Sequence, residues 1–186
     1  MAKGRKAAKQ SRGAAKRPRP AARRTRGTGI SPMPKGYHSV TPYLTVNDGA
    51  KALDFYTRAF GARVTERMPG PDGKLMHAEM RIGDSIVMLS DEMPQSKCKA
   101  PTSLGGATAM LFLYVPNVDR AFQRAVDAGC QVVAPVADMF WGDRYGAVQD
   151  QFGNVWGLAT HKEDVPPAQM KRRAQAAMAQ MAGTPS

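Results

Sequence analysis

Cysteine is scarce in this chain. Two residues, Cys98 and Cys130, occur among 186. They form no CxxC pair and no disulfide framework, so a reducing cytoplasm is the compartment they imply. No apolar run approaches the roughly 20 residues that a bilayer-spanning helix needs, which argues against a membrane anchor. Also missing are a GxSxG elbow, a P-loop, and a GxGxxG that opens a helix after a strand. The glycines in PGPDGK and SLGGAT read as turn residues. Acidic residues are absent from the whole N-terminal quarter, the first being Asp48.

That last absence locates the charge. Residues 1–29 carry eleven lysines and arginines and no acid, against a net charge of +12 for the chain, so the remainder is nearly neutral. Residues 1–32 also lack Leu, Val, Phe, Tyr and Trp. Such a segment cannot bury enough apolar surface to offset its ordering entropy, so residues 1–35 are expected to be a disordered basic tail. No apolar stretch follows the charges, as it would in a secretory signal, and no amphipathic face marks a transit peptide. A nucleic-acid partner through residues 1–32 is open on charge alone, although no aromatic interleaving or reading motif supports it. The competing account is translation from Met33, where MPKGYHSV runs directly into the first strand pattern.

The rest of the chain repeats itself. Thr41–Val46 alternates in polarity, and Asn47-Asp48 then offers an N-cap to the helical stretch GAKALDFYTRAFGA. Ala52, Leu53, Phe55, Tyr56, Ala59 and Phe60 recur at helical spacing, and Gly61 stops the helix. Strand patterns over 63–68, 75–82 and 85–90 follow, separated by the turns PGPDG and GD. The second half replays this order. A strand over 110–115 leads to the helix RAFQRAVDAG, then to strands over 131–136, 144–149 and 155–160, with the turn DQFGN before the last. Val46 and Val115, Leu53 and Phe122, and Gly83 and Gly153 are offset by 69 or 70 positions. The class is α+β, built from paired βαβββ modules at about 38–92 and 107–161. A C-terminal helix over 165–182 places Met170, Ala174, Met178 and Met181 on one face.

The stretches VTPYLTVNDGAKALDFYTRAFGA, MPGPDGKLMHAEMRIGDSIVMLSDE and FWGDRYGAVQDQFGNVWGLATHKEDV resemble the vicinal-oxygen-chelate superfamily (glyoxalase, bleomycin resistance and dioxygenase proteins), and within it the PhnB-like group. The resemblance spans about residues 36–175, with the domain itself over 36–164. It implies an incomplete barrel whose concave sheet faces enclose a cavity for a small molecule, often in a homodimer. It implies no single reaction, because the superfamily hosts isomerases, lyases, dioxygenases and pure binders.

Alternation of strand side chains assigns the faces. Pro42, Leu44 and Val46 claim the core, which leaves Thr41, Tyr43 and Thr45 toward the cavity. Ala78, Met80 and Ile82 claim the core, which leaves His77, Glu79 and Arg81 opposite. Leu111 and Leu113 claim it in the second module, which leaves Met110, Phe112 and Tyr114. The segment Met139–Gly146 adds Trp141, Asp143, Arg144 and Tyr145, a mix of rings and polar groups suited to a binding loop. The expected ligand-binding set is Thr41, Tyr43, Arg81, Met110, Phe112, Trp141, Asp143, Arg144 and Tyr145. His77 and Glu79 are the candidate acid and base, with Asp143, Arg144 and Tyr145 as the partners of the polar strand face.

Metal-dependent members of the superfamily carry a His or Glu on each of four strands. The resemblance puts those positions at Thr41, Met88, Met110 and Gly157, which is no divalent-ion site. No cofactor is therefore expected. The alternative is a displaced site that gathers His77, Glu79, Asp143 and His161 for a metal-dependent lyase, isomerase or dioxygenase. Cys98, in the polar loop beside Lys97 and Lys99, reads as an exposed thiol, and Cys130, behind a helix-ending glycine, as core.

Overall fold

The computed structural model describes residues 30–182. The tail expectation falls almost entirely outside them. Of the described residues, 33–182 belong to one compact unit.

The element order is β1 (Tyr43–Val46), α1 (Gly49–Phe60), β2 (Arg63–Pro69), β3 (Leu75–Ile82), β4 (Ser85–Asp91), α2 (Pro101–Leu104), β5 (Met110–Tyr114), α3 (Val118–Asp127), β6 (Gln131–Asp138), β7 (Asp143–Gln149), β8 (Val155–His161) and α4 (Pro167–Ala182). Two four-stranded sheets result, ordered β1-β4-β3-β2 and β5-β8-β7-β6. In each, the first strand lies parallel to the fourth and the other pairs are antiparallel. The repeated order in the sequence is thus a repeated topology in space.

Local chemistry explains the helices. The Asp48 side chain accepts from the Lys51 backbone N–H and caps α1. Gly61, at φ 67°, closes the helix in the left-handed conformation that glycine adopts without strain. Asn117 caps α3 in the same way through Arg120. The buried Asp91 carboxylate accepts from Gly49 N and Leu75 N at 2.8 and 2.6 Å, tying the start of α1 to β3.

The core lies between the helices and the sheets and joins the modules. Leu53, Phe55, Tyr56, Met80, Leu89, Val148, Trp156 and Leu158 are fully enclosed. Tyr56 and Phe60 of α1 pack on Trp156 of β8, with ring centroids 5.4 and 4.3 Å apart. Beneath them is a polar knot. Asp150 accepts from Tyr56 Oη, Trp156 Nε1 and the backbone N–H groups of Phe152 and Asn154, each at 2.9 Å. Burial pushes the Tyr56 phenol well above its ordinary range, with Asp150 beside it acting in the same direction. Cys130 is core, and burial raises its thiol to about 12.

α4 departs from expectation at Met178, and the side chain of Met181 lies outside the described residues. The half-buried face of the helix is Met170, Arg173, Ala174 and Ala177, and Met178 is exposed. The bidentate ion pair of Arg173 with Glu163, at 2.8 Å for both bonds, lies on that face.

Candidate functional site: two open sheet faces

The alternation read from the sequence sets both sheet faces. In β1, Leu44 and Val46 are buried while Tyr43 is half exposed. In β3, Ala78, Met80 and Ile82 are buried, and His77, Glu79 and Arg81 lie on the other side. In β5, Leu111 and Leu113 pack on the core, and Met110, Phe112 and Tyr114 stand clear of it. Period-2 geometry leaves no other assignment once one face is apolar.

The face of the second sheet is aromatic. Phe112 and Tyr145 stack nearly parallel, with a centroid separation of 5.5 Å and an angle of 6°. Trp141 meets Tyr145 at 5.9 Å, and Tyr114 meets Phe112 at 5.2 Å. Asp143 anchors the group from below. Only 4% exposed, it accepts from Tyr114 Oη at 2.9 Å and Trp141 Nε1 at 3.1 Å, and it lies 2.7 Å from His161 Nδ1. Burial opposes ionisation of Asp143, yet the hydrogen bonds from His161, Tyr114 and Trp141 outweigh it and hold the carboxyl below its ordinary range. His161 is raised in turn by its bond to Asp143, then by Asp164 at 3.1 Å from Nε2.

The face of the first sheet is polar. Tyr43 Oη lies 3.1 Å from His77 Nδ1, and His77 Nε2 lies 3.5 Å from Glu79 Oε1. Tyr37 donates to Glu79, which raises its phenol above the usual range. Glu66 stands directly across from Glu79 in the β2–β3 register. One ligand atom from each of Glu66, His77 and Glu79 falls within 4.8 Å of the others. Between the two sheets, a groove of about 500 Å³ runs along β1 and β5, lined by Val40, Tyr43, Leu44, Met110, Phe112 and Leu113 among others.

Several expected neighbours are elsewhere. Arg144 points to the opposite side from Asp143 and Tyr145, where it pairs with Asp119 of α3 at 2.7 Å and with Asp138 at the end of β6 at 3.2 Å. The next residue of that phase, Gly146, faces Phe122 of α3, as alternation requires. The polar trio of β3 therefore does not meet Asp143, Arg144 and Tyr145. Its partners are Tyr37, Tyr43 and Glu66, and Arg81 donates to the Asp84 carbonyl at 2.9 Å. His77 with Glu79 and Asp143 with His161 belong to separate networks on separate sheets, so the displaced quartet is not assembled within one chain. Thr41 precedes β1 and donates to the His38 carbonyl at 3.0 Å. Tyr37 and Glu66 escaped sequence reading. Tyr37 precedes any periodic pattern. Glu66 shares the phase of core-packed Val64 in a regular strand, and only a register shift after Val64 turns it outward.

The positions where metal-dependent relatives hold their ion do not fit one. Met88 lies beside Tyr43, and Gly157 beside Phe112. A Cβ at Gly157 would meet Phe112 at 2.9 Å and Tyr145 at 3.0 Å, so the aromatic rings occupy the space that a ligand side chain there would need.

Comparison with known proteins accords with this geometry. Residues 36–158 match the model of the glyoxalase/bleomycin resistance protein/dioxygenase superfamily, and the chain belongs to that family. An uncharacterized protein of Mycobacterium bovis, Mb0911c, is 48% identical over 130 residues, covering 68% of this chain and 86% of its own length. Among solved structures, TioX from Micromonospora sp. ML1 is similar at 29% identity and TM-score 0.53, over 66% of this chain and 97% of that one. A PhnB protein from Bacillus cereus shares the fold at 17% identity and TM-score 0.52, over 66% of this chain and 99% of that one. Among the described residues, no helix is long and apolar enough to cross a membrane.

Proposed function

We propose that the chain is a small-molecule-binding protein whose ligand stacks on the aromatic face of the second sheet. The observation that carries this reading is the exposed Phe112–Tyr145 stack with Trp141 and Tyr114 at its edges. A monomer does not leave such rings in water without a use for them, and flat rings recognise flat, conjugated partners. The ligand enters the groove beside β1 and β5, where Tyr43 and Met110 add contacts. Asp143 holds Trp141 and Tyr114 in place.

The same reading requires a cover. Tyr43, Phe112 and Tyr114 are 51%, 47% and 60% exposed in a single chain. A second copy, related by a two-fold axis, closes the cavity by laying one chain's sheet face over the other's. Light scattering at micromolar concentration is expected to return the mass of a dimer.

The direct test is titration of the full chain with planar aromatic compounds, followed through quenching of tryptophan fluorescence, with Trp156→Phe to isolate the signal of Trp141. Phe112→Ala and Tyr145→Ala are each expected to weaken binding by about tenfold, the equivalent of about 1.4 kcal/mol. Unchanged affinity in both variants would assign the ligand to another surface.

A further inference from the structure

The first sheet carries a feature that small-molecule stacking does not use. In β2 the pairing runs Val64 with Met80 and then Glu66 with Glu79, so β2 holds one residue more than β3 at this point. Without that bulge Thr65 would face Glu79 and Glu66 would turn to the core side. The bulge instead sets two carboxylates directly opposite one another, an arrangement that like-charge repulsion disfavours. Among the described residues no lysine or arginine forms an ion pair with either carboxylate. The nearest nitrogen side chain to Glu79 is an imidazole, His77.

One distance is that of a coordination shell. His77 Nε2 and Glu79 Oε1 lie 3.5 Å apart, long for a hydrogen bond. Two donors on a tetrahedral ion with bonds of about 2.1 Å are separated by about 3.4 Å. The Glu66 oxygen lies within 4.8 Å of both, and because Glu66 is exposed, a rotation of its side chain brings it to the separation of at most about 4.2 Å that two donors on one ion allow. The imidazole is already oriented for the task. Tyr43 Oη engages Nδ1, which leaves Nε2 as the nitrogen facing the carboxylates. Tyr37 holds Glu79 likewise. Ligands of metal sites are commonly fixed by partners of this kind.

We propose that Glu66, His77 and Glu79 bind one first-row divalent transition ion at a position different from that used by metal-dependent members of the family. One imidazole and two carboxylates suit zinc, manganese or iron(II), and three protein ligands leave positions open to water or to an oxygen of a bound molecule. Tyr43 links the two sites, since its ring lines the groove while its hydroxyl touches His77. The ion site stands independently of the stacking reading, because its residues lie on the other sheet.

The test uses the full chain, stripped with a chelator and titrated with cobalt(II) and zinc against a chromophoric competitor. One ion per chain is expected. His77→Ala is expected to lose saturable binding, as is Glu66→Gln, and Tyr43→Phe to weaken it by about 10–100-fold. His161→Ala, on the second sheet, is expected to bind as the parent does. A thermal melt guards against misfolding. Metal-free Glu66→Gln is expected to melt at or above the metal-free parent, because one of two opposed charges is gone, and metal is expected to raise the melting temperature of the parent only. Absence of saturable binding in the parent would overturn the proposal, as would stoichiometric binding that survives both His77→Ala and Glu66→Gln. Neither result would touch the effect of Phe112→Ala on an aromatic ligand.

Discussion

Asp143 shows how much one buried carboxylate organises. It receives a phenol, an indole and an imidazole, and through them it fixes the edge of the aromatic face. Its bond with His161 titrates. The imidazole is raised above 6.5 in the folded chain, so its contribution is fully present below that value and fades as pH climbs through the raised one. The carboxyl is lowered below 3.8, so its contribution is present above that value and is lost as pH falls through the lowered one. The window of greatest support lies between the two. Melting temperature measured from pH 5 to 9 is expected to decline at the alkaline end in the parent, and His161→Gln is expected to flatten that decline. An equal decline in both would assign it to other groups. Gly157 is the second informative residue. Its hydrogen gives Phe112 and Tyr145 their room. Gly157→Ala forces those rings to shift by a few tenths of an ångström, and is expected to weaken aromatic ligands several-fold while the far-ultraviolet circular dichroism spectrum stays that of the parent.

At the scale of elements, the turn between β7 and β8 is a structural joint. Asp150 sits at its start and takes hydrogen bonds from α1 and β8 as well as from its own turn. Asp150→Ala leaves the Tyr56 hydroxyl and the Trp156 indole N–H buried without an acceptor, each at about 1–3 kcal/mol, so a loss of about 2–6 kcal/mol is expected from urea unfolding. A loss below 1 kcal/mol would mean that water enters and replaces the carboxylate. The turn was legible in the sequence as DQFGN, but its role was not, because Tyr56 lies 94 positions away. Elements and faces were legible for a physical reason: helix caps and strand alternation are local, and buried residues repeat with the period of their element. What a local pattern does not carry is register. A single extra residue in β2 moves Glu66 from the core phase to the open face. Arg144 is a different case, since it and Tyr145 are consecutive in one strand, and strand alternation alone turns Arg144 toward Asp119 of α3. The face of α4 was legible in part: Met170 and Ala174 lie on its half-buried side as their spacing implies, while Met178 is exposed and Arg173, paired with Glu163 from outside the helix, lies there instead.

The molecule as a whole is two copies of one design that share a core. The repeat predicts two sheets, each with its helix, and it is silent on whether they fold separately. The contacts answer that. Tyr56 and Phe60, from the first module, pack on Trp156 and Phe152, from the second, and the only fully enclosed tryptophan is lined by residues of both. Arg124 of α3 donates to the Ala59 carbonyl of α1 at 2.9 Å, so the helices are also joined by a polar bond. Neither module can expose these rings without a cost of about 1.5–3 kcal/mol for each large side chain uncovered. Separate unfolding of the halves is therefore disfavoured, and the chain from Met33 onward is expected to lose its structure in one cooperative step. Urea curves from far-ultraviolet circular dichroism, which sees both sheets, are expected to coincide with those from tryptophan fluorescence, which sees the second module alone. Tyr56→Phe removes a hydroxyl from Asp150 without emptying the core, and is expected to lower both midpoints together. If the fluorescence curve moved and the dichroism curve split into two steps, the modules would be separate folding units, and the shared core would be a contact between finished domains.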